Sequence, residues 1–322
     1  MINIRRFLLL ICLSVIGYLP AHAAGYYSLS DPQLYEVQYI WEIRNSGGTA
    51  TDYKISVPIA DMTESPPYQQ LLYYTLEPSG LKPKLKKEQA EYIIPKVESG
   101  QTITIRHTYT FKNYAIEHQL RTYYGGFNIE AKYLNEEMGI ESNNKQIIDL
   151  AQQLTSKERY PLDKAKKIFE YVNSSITYEF GKELSNSAIE TLNRGYGSCE
   201  GFSLLYIALC RASGIPARFV FGYRFKPEEI SRTQTDLQSF GHAWVEIYLP
   251  GISWVTVDPT YNYLLNGVKQ VNYNYFGRVL PDDRHLFINY SHEPLISSSW
   301  TDFPKKSAKI NNKTLTVIRR IR

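Results

Sequence analysis

The sequence predicts an α+β protein in which an all-β, sandwich-like part precedes a mixed part. Three observations carry this expectation. Apolar and polar residues alternate with a period of two in several stretches before residue 115. Apolar residues recur at helical spacing between residues 147 and 212. A further pair of alternating stretches flanks Pro250-Gly251.

At 322 residues the chain exceeds the usual size of one domain, and two are expected. A composition of 43% hydrophobic and 21% charged residues is that of a globular protein and excludes a chain dominated by disorder. The net charge of +4 is too small an excess to point to nucleic acid as a partner. Tyr at 27 against Phe at 13 suits sheets whose faces are half wet.

Residues 1–23 have the layout of an export signal, which predicts a periplasmic or secreted protein. Arg5-Arg6 is the basic start, Phe7 to Ile16 the apolar region, and Ala21-His22-Ala23 the small-x-small cleavage site. The apolar run is short for a membrane span; left uncleaved, it would be an N-terminal anchor. Cys12 follows Ile11, where a lipid-attachment site requires a small residue, so a lipoprotein is not expected.

After the signal, Tyr35, Val37, Tyr39, Trp41 and Ile43 alternate with Glu36, Gln38, Glu42 and Arg44, the pattern of a half-buried strand. Asn45-Ser46-Gly47-Gly48 supplies a turn, and Tyr53, Ile55, Val57 and Ile59 restart the alternation. Glu98-Ser99-Gly100 turns the chain again before Ile103, Ile105, His107, Tyr109 and Phe111. Residues 24–115 are therefore expected to form a β-sandwich-like domain. His107 falls on an apolar strand face, where a hydrogen-bonded core or edge histidine is expected rather than a ligand, and no second metal-type residue stands at a useful spacing. Lys82, Lys84, Lys86 and Lys87 form a basic cluster expected in a solvated loop. Residues 116–144 carry neither period and are expected to link the domains.

A mixed domain is expected over residues 145–290. Ile147, Ile148, Ala151 and Leu154 begin the helical spacing, and a second helix starts at Pro161 and runs through Ala165, Ile168, Phe169 and Val172. Ser187 and Glu190 have capping-box spacing, which predicts a short helix through Leu192. The longest apolar run follows, with Ser198 as its N-cap and Gly214 where it stops. Being hydrophobic on nearly every side, this helix should be buried between layers.

Cys199 falls in the first turn of that helix, where unpaired N–H groups and the helix dipole favour a thiolate. Two readings stand on local grounds, a nucleophile or a buried structural cysteine. Cys210 is eleven residues further on, about 16 Å along a helix at ~1.5 Å per residue, too far for a disulfide. It reads as a buried filler. In an oxidising compartment an unbridged thiol is a liability unless it is buried or used.

Beyond the helix, Arg218 to Tyr223 reads as a strand, and residues 224–240 as a polar loop long enough to cover a site. Gly241 to Tyr248 and Ser253 to Asp258 form the arms of a hairpin. A turn centred on Pro250 places His242 opposite Asp258 on one face, about 5 Å apart at Cα. Ala243, Val245, Ile247, Val255 and Val257 take the other face, an arrangement that a one-residue slip would destroy. A thiol nucleophile needs a base, and the base needs a partner to orient it. Cys199, His242 and Asp258 supply those three roles.

The chain resembles the bacterial core domain of the transglutaminase-like superfamily of papain-type thiol enzymes. The resemblance is carried by Gly195-Tyr196-Gly197-Ser198-Cys199-Glu200-Gly201-Phe202, Ala212-Ser213-Gly214-Ile215-Pro216-Ala217-Arg218, Gly241-His242-Ala243-Trp244-Val245-Glu246 and Trp254-Val255-Thr256-Val257-Asp258-Pro259-Thr260. It implies a papain/transglutaminase-like core, in which the helix carrying Cys199 packs on an antiparallel sheet carrying His242 and Asp258. It also implies Cys199 as nucleophile, His242 as general base and then acid, and Asp258 as the orienting carboxylate. The reaction stays open, because the family includes transamidases, proteases, amidases and inactive relatives. Animal transglutaminases require calcium, but no dense acidic loop here reads as a calcium site, and no cofactor or metal is expected. The Cys199 N–H is the first oxyanion donor expected, and no tryptophan shortly before it offers a second.

Residues 291–322 carry Lys305, Lys306, Lys309, Lys313, Arg319, Arg320 and Arg322 against Glu293 and Asp302. A basic C-terminal tail is expected, either flexible or adding one strand from Thr314 to Ile318, with an anionic envelope surface as a further contact. Two functions follow. One is an exported thiol hydrolase or transamidase acting on a protein or peptide amide, cell-wall peptide included. The other is a non-enzymatic envelope scaffold with an inherited triad.

Overall fold

The computed structural model describes residues 26–321 other than 62, 79, 87–88, 124, 127–128, 181–186, 292–296 and 303–306. The expected export signal, Lys87, Lys305, Lys306 and Arg322 lie outside the described residues. The chain opens with β1 (Tyr27–Asn45), β2 (Ala50–Pro58), β3 (Gln69–Glu77), β4 (Lys84–Leu85), β5 (Gln89–Val97) and β6 (Thr102–His118). Next come α1 (Lys145–Thr155), α2 (Pro161–Ser175), β7 (Thr177–Tyr178), α3 (Ala188–Arg194), β8 (Tyr196–Gly197) and α4 (Cys199–Ala212). The remainder is β: β9 (Ala217–Phe225), β10 (Thr235–Asp236), β11 (Gly241–Leu249), β12 (Ser253–Val257), β13 (Tyr263–Leu265) and β14 (Val268–Gln270). β15 (Arg278–Val279), β16 (Arg284–Asn289), β17 (Ser297–Asp302) and β18 (Ile310–Arg320) complete it.

Period-two patterning builds the first layers. Tyr35, Val37, Tyr39, Trp41 and Ile43 of β1 all point into one core, where they meet Tyr53, Ile55 and Val57 of β2 and Ile105, Tyr109 and Phe111 of β6. One sheet runs β10-β18-β1-β6-β15, with β3 also pairing with β6, and a second runs β17-β2-β5-β4. His107 is fully buried between them, 2.7 Å from the Tyr92 hydroxyl, the hydrogen-bonded core histidine that its strand face predicts.

The basic tail is a structural part of this sandwich. β18 pairs antiparallel with β1 from Tyr35↔Arg320 to Asn45↔Ile310, and β17 pairs with β2. The strand expected at Thr314–Ile318 is therefore longer, and the β-part is assembled from segments at both ends of the described chain. The alternation of β18 is weak because only Val317 and Ile318 are buried while Asn311, Asn312, Lys313 and Thr314 stay exposed. The 224–240 segment also differs from its expected role as a cover. β10 pairs with β18, and Ile230 and Leu237 are buried in the sandwich core, which commits the segment to docking the two parts.

The third sheet, β12-β11-β9-β16, positions the site. Ala243, Val245, Ile247, Val255 and Val257 pack on α4, and that helix is buried on every side from Gly201 to Arg211. α4 ends as its glycine predicts. Gly214 has φ +76°, its N–H bonds the Arg211 carbonyl, and Ile215 N–H bonds the Cys210 carbonyl. The opposite face of the sheet meets the sandwich through Trp244, Val220 and Phe287. Among the described residues, no helix is long and apolar enough to cross a membrane.

Candidate active site

The sequence places Cys199 at the start of α4 for local reasons. α3 is capped by the Ser187 side chain, which accepts from the Glu190 N–H, and closes on Gly195 at φ +72°. The two-residue strand β8 then pairs in parallel with β7, Thr177 with Tyr196 and Tyr178 with Gly197, and delivers the chain to the helix. Cys199 is only partly buried, whereas Cys210 is fully buried and its thiol pKa is pushed far up by desolvation. Position separates the two thiols: one stands at a helix end beside polar groups, the other in apolar packing.

His242 lies near the start of β11, opposite Gly222 of β9. The β11–β12 hairpin turns through Pro250, Gly251 and Ile252, so pairing runs from Leu249↔Ser253 to Val245↔Val257. This corrects the register expected from a turn centred on Pro250. Buried Leu249 stays in the strand, the turn moves one residue along, and every pairing shifts by two. Two residues are a full strand period, so Asp258 keeps the face of His242 and reaches it diagonally.

His242 Nε2 lies 2.8 Å from Asp258 Oδ2, and both side chains are almost wholly buried. The Cys199 thiol stands near the His242 ring and helps hold its proton. With Nε2 committed to Asp258, Nδ1 is the ring nitrogen left for sulfur. Burial works against charge on His242, but the Asp258 carboxylate outweighs it, and the pKa is pushed up to about 9. Burial likewise works against the Asp258 anion, yet the charge and hydrogen bond of His242, joined by His285, hold it well below the usual range. The structure thus brings together the three residues nominated by the sequence, His242 and Asp258 through a hydrogen bond and Cys199 beside the His242 ring.

Several neighbours were invisible in local patterning. His285 of β16 places Nε2 3.0 Å from the same Asp258 Oδ2, and the Thr260 N–H donates to Oδ1 at 3.0 Å. Buried Asn173 of α2 donates to the carbonyls of Pro259 and Tyr261, both at 2.9 Å, and so clamps the turn after Asp258. Tyr261 lies 5.4 Å from His242, centroid to centroid, with the Arg224 guanidinium stacked on it at 3.7 Å and ion-paired to Asp283. A polar Asn on the otherwise apolar face of α2 is the one signal a sequence reading could have used. The other contacts are made by strand pairing distant in sequence.

His242, Asp258 and His285 could present ligand atoms within 4.8 Å of one another. Both imidazoles, however, direct Nε2 to one carboxylate oxygen at hydrogen-bond distance, an arrangement that hydrogen bonding by itself accounts for.

Residues 148–259 match the sequence profile of the transglutaminase-like superfamily. A 135-residue stretch is 30% identical to the uncharacterised protein YebA of Bacillus subtilis, covering 37% of this chain and 18% of that protein. A 75-residue stretch is 35% identical to a protein-glutamine gamma-glutamyltransferase of Pseudomonas aeruginosa, covering 23% of this chain and 11% of that protein. The chain thus spans less than a fifth of the length of either relative. A solved structure from Cytophaga hutchinsonii, assigned provisionally as a cysteine protease, aligns over 91% of this chain and 99% of its own, with TM-score 0.52 and 20% identity. That likeness extends the shared fold beyond the matched core to nearly the whole chain.

Proposed function

We propose that the transglutaminase-like core at residues 148–259 makes this protein an exported cysteine enzyme that acts on amide bonds of proteins or peptides. The observation that supports it most is the line from the Cys199 thiol through His242 to Asp258. A ring that keeps its proton to about pH 9, beside a thiol at the start of a helix, supplies the proton carrier that a thiol nucleophile needs.

The chemistry follows from those positions. Cys199 sulfur attacks the amide carbon, and the carbonyl electrons move onto oxygen, toward the Cys199 N–H, which at the first helical position has no intrahelical acceptor. His242 gives its proton to the departing amine as the C–N bond breaks, leaving a thioester on Cys199. Water or a primary amine then attacks, His242 takes up its proton, and the thiolate leaves. Water gives hydrolysis and an amine gives transamidation. Half-exposed Tyr178 of β7, paired with Gly197 just before α4, offers an apolar surface beside the thiol that suits a polypeptide substrate.

The signal-like residues 1–23 support export to the periplasm or beyond, and an envelope peptide is the matching substrate class. The test is iodoacetamide labelling with mass mapping, followed by peptide substrates offered with and without a labelled primary amine. Cys199 should alkylate rapidly at neutral pH while Cys210 stays unmodified until the protein unfolds. Cys199→Ala should abolish turnover, and incorporation of the amine distinguishes transfer from hydrolysis. If Cys199→Ala left the protein's function whole, the scaffold reading would replace this one.

A further inference from the structure

We infer that His285 is a positioning residue of this site, giving a second N–H to the Asp258 oxygen that orients His242. The inference rests on the reading of Cys199, His242 and Asp258 given above. His285 lies on β16, outside the residues that match the family profile, and it is delivered by sheet pairing. β16 pairs with β9 and β9 with β11, so that Gly222 stands between Phe287 on one side and His242 on the other. A Cβ at Gly222 would lie 2.0 Å from the Leu286 carbonyl oxygen and 2.6 Å from the Trp244 ring. Glycine is what lets β16 close in and bring its histidine to the carboxylate.

The hydrogen-bond arithmetic fixes the state of this ring. Ionised Asp258 offers only lone pairs, so His285 must carry its proton on Nε2 to bond it at 3.0 Å. Its Nδ1 has no hydrogen-bond partner among the described residues. Burial pushes the His285 pKa down despite Asp258, so the ring is a neutral donor. A neutral donor holds the anion without competing with the imidazolium of His242. With Thr260 N–H on Oδ1 and two imidazoles on Oδ2, the carboxylate is held from three directions. The Trp244 ring stands edge-on to His285 at 4.9 Å and limits its rotation. The other titratable or charged groups whose fields reach Asp258 or His285 are Arg224 of β9, Asp283 before β16, Tyr178 of β7 and Tyr261 after β12.

The test uses alkylation of Cys199 by iodoacetamide from about pH 2 to 9 in the full chain, comparing wild type with H285L and H285Q. H285L removes the donor, so Asp258 protonates at a less acidic pH. The acid limb of reactivity should rise by about one unit, a loss of about tenfold at pH values on that limb. H285Q, whose amide nitrogen reaches where Nε2 stood, should recover most of that loss. If H285Q falls as far as H285L, or if neither moves the limb, His285 only fills space and the inference is overturned. A wild-type thiol that titrates near ~8.5 would instead sink the nucleophile reading, and this inference with it. Should H285L fail to fold, imidazole nitrogen NMR of the wild type decides. His285, assigned by its loss in H285Q, should stay a neutral Nε2–H tautomer from pH 5 to 8. An Nδ1–H tautomer, or titration near ~6.5, would overturn the role.

Discussion

His242 and Asp258 meet diagonally across the β11–β12 hairpin, Nε2 to Oδ2 at 2.8 Å, with Trp244 occupying the strand position between His242 and the first paired residue, Val245. The contact is what raises the pKa of His242 against its burial. Asp258→Asn keeps the shape and removes the charge, so His242 should lose its proton well below pH 9. Thiol reactivity and any turnover at neutral pH should fall by roughly 10²–10⁴-fold. Alkylation rate against pH measures it, and an unchanged profile would remove Asp258 from the site.

Stability should peak near neutral pH, for two opposed reasons. Burial lowers the pKa of His285, of His107 to about 3 and of His118 to about 4, from an ordinary 6.5. Below pH 6.5 the unfolded chain binds protons that these folded rings refuse, so stability falls as pH falls. Asp258, held below its ordinary 3.8, adds stability that is present above that value and lost as pH drops further. His242 has the other sign. Its folded pKa of about 9 exceeds 6.5, so its contribution is complete below pH 6.5 and disappears as pH rises to about 9. Thermal midpoints from pH 4 to 10 should trace a dome, and a plateau across that range would contradict these assignments.

Asn173 holds the turn after Asp258 from the α2 side. Asn173→Leu preserves the volume but leaves the Pro259 and Tyr261 carbonyls without their donor, at a cost of about 2–4 kcal/mol. Urea unfolding should register that loss. Labelling of Cys199 should also slow in the folded variant, because the clamped turn carries Asp258.

Arg218 of β9 lies between the rings of Trp254 and Tyr290, at 4.0 and 3.7 Å, and is paired with buried Glu246 across β9–β11. Glu64 from the sandwich side completes the pairing. Glu246→Leu leaves the buried guanidinium with half-exposed Glu64 as its remaining carboxylate and should cost about 1–3 kcal/mol. The double change Arg218→Met with Glu246→Leu should recover most of it, since replacing a whole buried ion pair is often neutral. Denaturation midpoints of the single and double variants decide the matter.

What was legible in the sequence is what short-range periodicity and caps encode. The limits of α4, its stop at Gly214 and the two faces of the hairpin all follow from neighbours within a few residues. The face of Asp258 was correct although its partner was not, because face depends on parity and partner depends on where a turn forms. His285, Asn173 and Arg224 reach the site through β16–β9 pairing and helix docking, which leave no local mark. β18 escaped clear notice because most of its side chains face solvent, so its alternation never develops.

The pairing of β1 with β18 has a consequence for how the protein is made. The strand that begins the sandwich waits for residues 310–320 before its open edge is covered, and β16 arrives only shortly before them. During synthesis the site would therefore stay incomplete until nearly all the described chain has emerged.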